Sequence, residues 1–227
     1  MNNSIIKLSE NPKGFHDKAD ELTADMFTSN IPVQHSHDYY CDENIGLYVG
    51  LWDTEDMVEM PGPYGMEEFM VVLDGQANIK NNQTGTIDTV NAGESFVIPK
   101  GFDCQWQQQG YLKKFYVIFD NEKYAPGNEN VDSITRFTPD NITSSFDNQQ
   151  KTFYAGITHS TEHLMKTDEY RFVYVLSGSL TLSSNKAEQK IYCANEAIFI
   201  QKLDEISGCC STDFSCYFCN VALPALN

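Results

Sequence analysis

Glu67-Glu68-Phe69-Met70-Val71-Val72-Leu73-Asp74-Gly75 decides the reading of this chain. An acidic pair stands at the mouth of an apolar run of strand-forming residues, and an Asp-Gly turn signal closes it. In an extended strand residues two apart share a face, so Glu68, Met70 and Val72 line one side and Phe69, Val71 and Leu73 the other. Outward from this stretch the pattern repeats. Ile45 to Trp52, Ala77-Asn78-Ile79, Ser95 to Ile98 and Lys114 to Phe119 are further strand-type runs. Asp74-Gly75, Thr84-Gly85, Ala92-Gly93 and Pro99-Lys100-Gly101 stand between them as turns. Short strands at this spacing predict a sandwich or barrel.

A second copy follows the first. Tyr48-Val49-Gly50 returns as Tyr154-Ala155-Gly156, Met70 to Gly75 as Val173 to Gly178, and Gly93 to Lys100 as Asn195 to Lys202. The offsets are 106, 103 and 102 residues, an internal duplication of order and near-constant spacing. Residues 1–45 are polar and weakly periodic, with Asp17 to Leu22 as one possible helical turn, and read as an arm packing on the first barrel. Residues 46–125 make that barrel. Residues 126–227 make the second, and the polar, Pro-Gly-centred stretch Asp120 to Ser133 reads as a linker or long surface loop.

The chain carries 32 acidic against 15 basic residues, a net charge of −17. That balance repels phosphate backbones and anionic membranes, and the densest basic patch is the pair Lys113-Lys114. Nucleic acid and membranes are therefore not expected partners. No apolar run approaches the ~20 residues that span a bilayer, and the N-terminus lacks the apolar core of a signal peptide. With seven cysteines, an odd number, this points to a reduced, cytoplasmic setting.

The landmarks resemble the cupin superfamily. Its first motif ends Glu, six residues, Gly, as Glu68 to Gly75 do; its second runs Gly, five residues, Pro, one residue, Gly, as Gly93, Pro99 and Gly101 do. Trp106 followed by Lys114 to Phe119 resembles the branch of ethanolamine-utilisation protein Q and the ureidoglycine aminohydrolases. The resemblance implies an all-β bicupin, two tandem double-stranded β-helix (jelly-roll) barrels, the second degenerate. It also implies metal positions, and this chain departs from them. The His-x-His slots before Glu68 fall on Pro61/Pro63 or Gly62/Tyr64, and the third His slot is Cys104. The second-barrel ligand slots of the ureidoglycine aminohydrolases read Met165, Thr167 and Arg171. No cofactor is therefore expected. A divalent metal, if held, would use Glu68 and Cys104, with His35 or His37 from the arm as outside candidates.

The functional reading is a pocket in the first barrel made by Tyr64, Glu68, Met70, Cys104, Trp106, Gln108, Lys114 and Tyr116, taking a small polar molecule without a conventional metal centre. The other function is a metal-independent or unusually ligated enzyme in which Glu68 is the general acid or base on a small polar substrate. A plainer alternative pairs Glu68 with Lys114 or a backbone amide and leaves the aromatics as core. His35-Ser36-His37 reads as a polar arm loop, and His159 and His163 as loop histidines. Glu169 and Arg171 read as an ion pair, and Cys209, Cys210, Cys216 and Cys219 as buried apolar thiols. A monomer or homodimer is expected.

Overall fold

The computed structural model describes residues 5–141, 144–166, 168–184, 189–202 and 205–223. The chain forms two compact units. One is Glu10–Arg136; the other is Phe137–Asn227 together with Met1–Ser9. Both are built from antiparallel strands, with helix among the described residues limited to short 3-10 turns at Ala24–Met26 and Glu162–Leu164. Among the described residues no helix is long and apolar enough to cross a membrane.

The duplication read from spacing is a duplication of topology. In the first unit the strands Ser95–Ile98, Glu67–Asn81, Leu112–Phe119, Leu47–Thr54 and Gln34–Asp42 lie side by side in that order. In the second, Ala197–Ile200, Tyr170–Ser177, Ser215–Val221, Phe153–Thr158 and Ser145–Asp147 repeat it. This is the all-β barrel arrangement expected from the turn-punctuated pattern.

Asp74-Gly75 is not a hairpin turn. The strand runs unbroken from Glu67 to Asn81. Its first half pairs with Leu112–Phe119 and Ser95–Ile98, and its second with Ile87–Asn91 and Asp103–Gln108. The register against Leu112–Phe119 slips between Lys113 and Lys114, skipping Leu73, and Gly75 follows two residues on at φ +74°, opposite Leu112, where the strand passes from one set of partners to the next. A Cβ on Gly75 would lie 2.0 Å from the Tyr111 carbonyl oxygen, which leaves room for glycine alone.

The arm is also more ordered than its polarity predicts. Gln34–Asp42 is a nine-residue strand paired with Leu47–Thr54, so His35-Ser36-His37 lies in a sheet and not in a loop. Ile5–Leu8 pairs with Ala197–Ile200 and belongs to the second unit, and Asp17 to Leu22 forms no helix. The units divide between Arg136 and Phe137, eleven residues beyond the expected 125/126 boundary. The stretch expected to be a linker or long surface loop is a loop, and it packs on the first barrel. Ala125 is fully buried, and Asn128 donates to Glu67 Oε1 at 2.7 Å. Glu67 thereby ties the segment down, and its Oε2 accepts the Lys100 backbone N–H at 3.1 Å.

Inside the first barrel Met70, Val72, Ile79, Phe96, Ile98, Phe102, Trp106 and Leu112 form a continuous apolar core. In the second, Val173, Val175, Leu180, Ile198, Phe214 and Cys216 do the same. Close-packed side chains of this kind hold the strands in register and leave space only where polar groups converge.

Candidate functional site

Such a space exists at one end of the first barrel, a cavity of about 330 Å³. Strand alternation fills it from several directions. Trp52 enters from Leu47–Thr54, Glu68 from Glu67–Asn81, Trp106 from Asp103–Gln108, and Lys114, Tyr116 and Ile118 from Leu112–Phe119. The register makes this unavoidable, since Lys114 is the cross-strand neighbour of both Trp52 and Val72, and Tyr116 of both Gly50 and Met70. Gly50 lies beneath the Tyr116 ring, where a Cβ would come within 2.3 Å of its hydroxyl oxygen.

Lys114 is the centre of the site. Its ammonium donates to Glu68 Oε1 at 2.7 Å and contacts Met70 Sδ at 3.0 Å. It also lies 4.7 Å from the Trp52 ring centre and 4.6 Å from that of Trp106. The two indoles meet edge to face, 5.9 Å apart. Both charged side chains are almost fully removed from water, at 6% and 4% exposure, a position tolerable only because each charge has partners. Tyr64 completes the set by donating its hydroxyl to Glu68 Oε2. Burial, and then the Glu68 charge, push the Tyr64 phenol well above its ordinary range, so it stays a donor. Tyr116 donates to Asp38 at 2.5 Å, and burial likewise raises its phenol.

Both oxygens of Glu68 are thus engaged, one by a cation. The positions from which a cupin metal would be bound carry proline, glycine, tyrosine and Cys104, and an ammonium stands against the surviving carboxylate. This donor set does not fit such a metal. Cys104 is buried, and its thiol is pushed up to about 12 by burial and then by the charges of Glu59 and Asp103. It is a neutral core group at physiological pH.

Of the eight residues expected to form the pocket, Tyr64, Glu68, Trp106, Lys114 and Tyr116 line the cavity. Met70, Cys104 and Gln108 do not. Met70 lies under Lys114, and Gln108 accepts from Trp106 Nε1 at 3.1 Å, fixing the indole. Sequence reasoning missed Gln34, Ser36, Trp52 and Glu59, which also face the space. Trp52 alternates with Tyr48 and Gly50, a signal that was present. Gln34 and Ser36 belong to the strand mistaken for a loop. Glu59 lies in a connection without periodicity and could not have been found that way. Its carboxyl is raised to about 7, by burial first and then by Glu68, with Lys114 opposing.

The arm histidines do not reach Glu68. His35 bonds Asp53, on the face of the sheet opposite Trp52, and His37 packs edge to face on Tyr39 at 4.7 Å. In the second unit His159 Nδ1 meets the Phe214 carbonyl at 3.2 Å, while the His163 side chain lies outside the described residues, as does Thr167. Glu169 pairs with Lys166 at 3.1 Å and not with Arg171, whose Nη2 donates to the Gln201 carbonyl at 3.3 Å. Cys216 and Cys219 are buried, as expected, but Cys209 is exposed and Cys210 half-buried. A second cavity, of about 500 Å³, opens around Tyr154, Lys166 and Glu169. Those groups are already tied to one another and to Asn220.

Residues 48–116 match the family model of the EutQ-like cupin domain. No curated protein matches the sequence. Among solved structures, a protein of unknown function from Pseudomonas syringae pv. tomato superposes with a TM-score of 0.65 at 13% identity, over 96% of this chain and 99% of that one. Protein Ylba from E. coli does so with a TM-score of 0.58 at 14% identity, over 94% and 91%. At such identities the superpositions speak for the fold, whose two repeats cover nearly the whole chain. Motif spacing, sheet order, the matched domain and the superposed folds agree on a cupin fold, and residues 48–116 match a EutQ-like cupin domain.

Proposed function

We propose that the first barrel binds a small polar molecule in the cavity around Lys114, without a conventional metal centre. The observation that supports this reading most is the ammonium held between Trp52 and Trp106. Among the described residues the ammonium's hydrogen-bond partners are Glu68 and Met70 Sδ, so one of its three N–H groups can turn to a ligand acceptor. The indole faces suit a flat or apolar body, and Glu59, titrating near neutrality, suits a hydrogen-bonding group at the other side. Thermal-shift screening against small hydroxy acids, amides and amines tests the reading. A hit should weaken at least tenfold in both Glu59→Gln and Lys114→Met. No hit, or hits indifferent to both changes, would remove it.

A second reading, a metal-independent enzyme, is favoured by the raised carboxyl of Glu59. A group near pH 7 can give and take a proton with little penalty in either direction. Glu68, held by Lys114 and Tyr64, is then the positioning residue and Glu59 the acid or base. Turnover of a screening hit that follows a single ionisation near pH 7 and is lost in Glu59→Gln would select this reading over simple binding.

A further inference from the structure

A cluster on the other face of the Leu47–Thr54 strand has no part in the cavity. Antiparallel pairing sets His35 directly opposite Asp53. His35 Nδ1 stands 2.8 Å from Asp53 Oδ1, and His16 Nε2, brought in by the preceding segment, stands 2.7 Å from Oδ2. The two imidazoles meet edge to face at 4.7 Å, and the three ligand atoms lie within 4.8 Å of one another. Tyr111 donates to Asp53 Oδ2 at 2.8 Å. Asp53 itself is 2% exposed, while the His16 side chain is 57% exposed.

We propose that His16, His35 and Asp53 form a binding site for one divalent transition-metal ion of the zinc type. Two imidazoles and a carboxylate are a borderline-soft N₂O donor set, which suits Zn²⁺, Co²⁺ or Ni²⁺ and not Mg²⁺ or Ca²⁺. Metal–nitrogen and metal–oxygen bonds of about 2.0–2.2 Å place donors on a common ion roughly 3–3.5 Å apart. The N···O separations need to open by a few tenths of an ångström, and ligand atoms now up to 4.8 Å apart need to draw together to the same range. On binding, each imidazole turns its lone pair to the ion and carries its proton on the other ring nitrogen. Tyr111 supplies the outer hydrogen bond that orients a ligating carboxylate. The exposed His16 edge gives the ion its way in and leaves coordination positions for water. The net charge of −17 enriches cations around the molecule.

The test titrates the full-length, metal-stripped protein with Zn²⁺ by calorimetry and with Co²⁺ by visible absorption. The expected result is one ion per chain, with Co²⁺ d–d bands and no thiolate charge-transfer band. His16→Ala and Asp53→Asn should each weaken binding at least tenfold, Tyr111→Phe by a smaller factor, and His37→Ala not at all. His16 is exposed, so its variant tests the site even if Asp53→Asn folds poorly. Variants that bind like the parent, a loss in His37→Ala equal to that in His16→Ala, or a thiolate band placing the ion on cysteines would each overturn the proposal.

Discussion

Replacing Lys114 with methionine removes the cation at the centre of the first barrel while nearly keeping its volume. Glu68 is then left 3% exposed, with Tyr64 as its remaining hydrogen-bond partner among those described. Breaking a buried pair in this way costs about 3–5 kcal/mol, because the surviving charge is left without compensation. The two cation–π contacts are lost as well, each worth on the order of 1–2 kcal/mol when desolvated. Adding Glu68→Gln removes the orphaned charge and leaves an amide that can still accept from Tyr64. The double variant should therefore be more stable than Lys114→Met alone, by about 1.5–3 kcal/mol. The chain has two tryptophans, and both lie against Lys114, so selectively excited tryptophan fluorescence reports on this unit alone. With a urea slope of about 1–3 kcal/mol per molar, the loss of the pair in Lys114→Met should lower the fluorescence midpoint by roughly 1–5 M, and the double variant should recover about half of that. A shift below about 0.3 M, or a double variant as unstable as the sum of the single changes, would refute the claim that this pair is a desolvated, mutually compensating unit.

Three other outcomes follow from the geometry. Glu59 has its folded value raised to about 7 against an unfolded value near 4.5. Its contribution is therefore fully present below about pH 4.5 and declines as pH rises to 7, by at most about 3 kcal/mol because the side chain is only partly buried. Urea midpoints across that window should fall less steeply in Glu59→Gln. Iodoacetamide at pH 8 should label the exposed Cys193 and Cys209 in the native protein and spare Cys104, whose thiol is buried and raised to about 12. Peptide mass spectrometry reads the difference. Gly75→Ala should lose at least about 2 kcal/mol, since the positive φ alone costs about 1–2 kcal/mol and the new Cβ meets an immovable backbone oxygen. A denaturation midpoint equal to the parent's would show that the strand need not bend there.

By itself, the sequence determined the fold class and its duplication. Strand periodicity and turn glycines are local signals, and the spacing from Glu68 through Gly75 to Pro99 and Gly101 needs no contacts to be read. It also showed that Glu68 lacks the histidines of a cupin metal centre, because identities at known spacings are enough for that. Other properties needed the tertiary structure. Asp74-Gly75 has the composition of a turn, yet the register slip against Lys113 and Lys114 keeps it inside one long strand. Gln34–Asp42 is polar because its residues meet partners across the sheet, as His35 meets Asp53, and polarity alone could not tell that strand from a loop. Lys114 was legible as a pocket residue and a candidate partner of Glu68, but not as the centre of the site. Only the pairing of Leu112–Phe119 with strands on both sides brings Glu68, Trp52 and Met70 around its ammonium. Charges at distant positions compensate one another only when folding removes water from between them, and linear spacing carries no record of that.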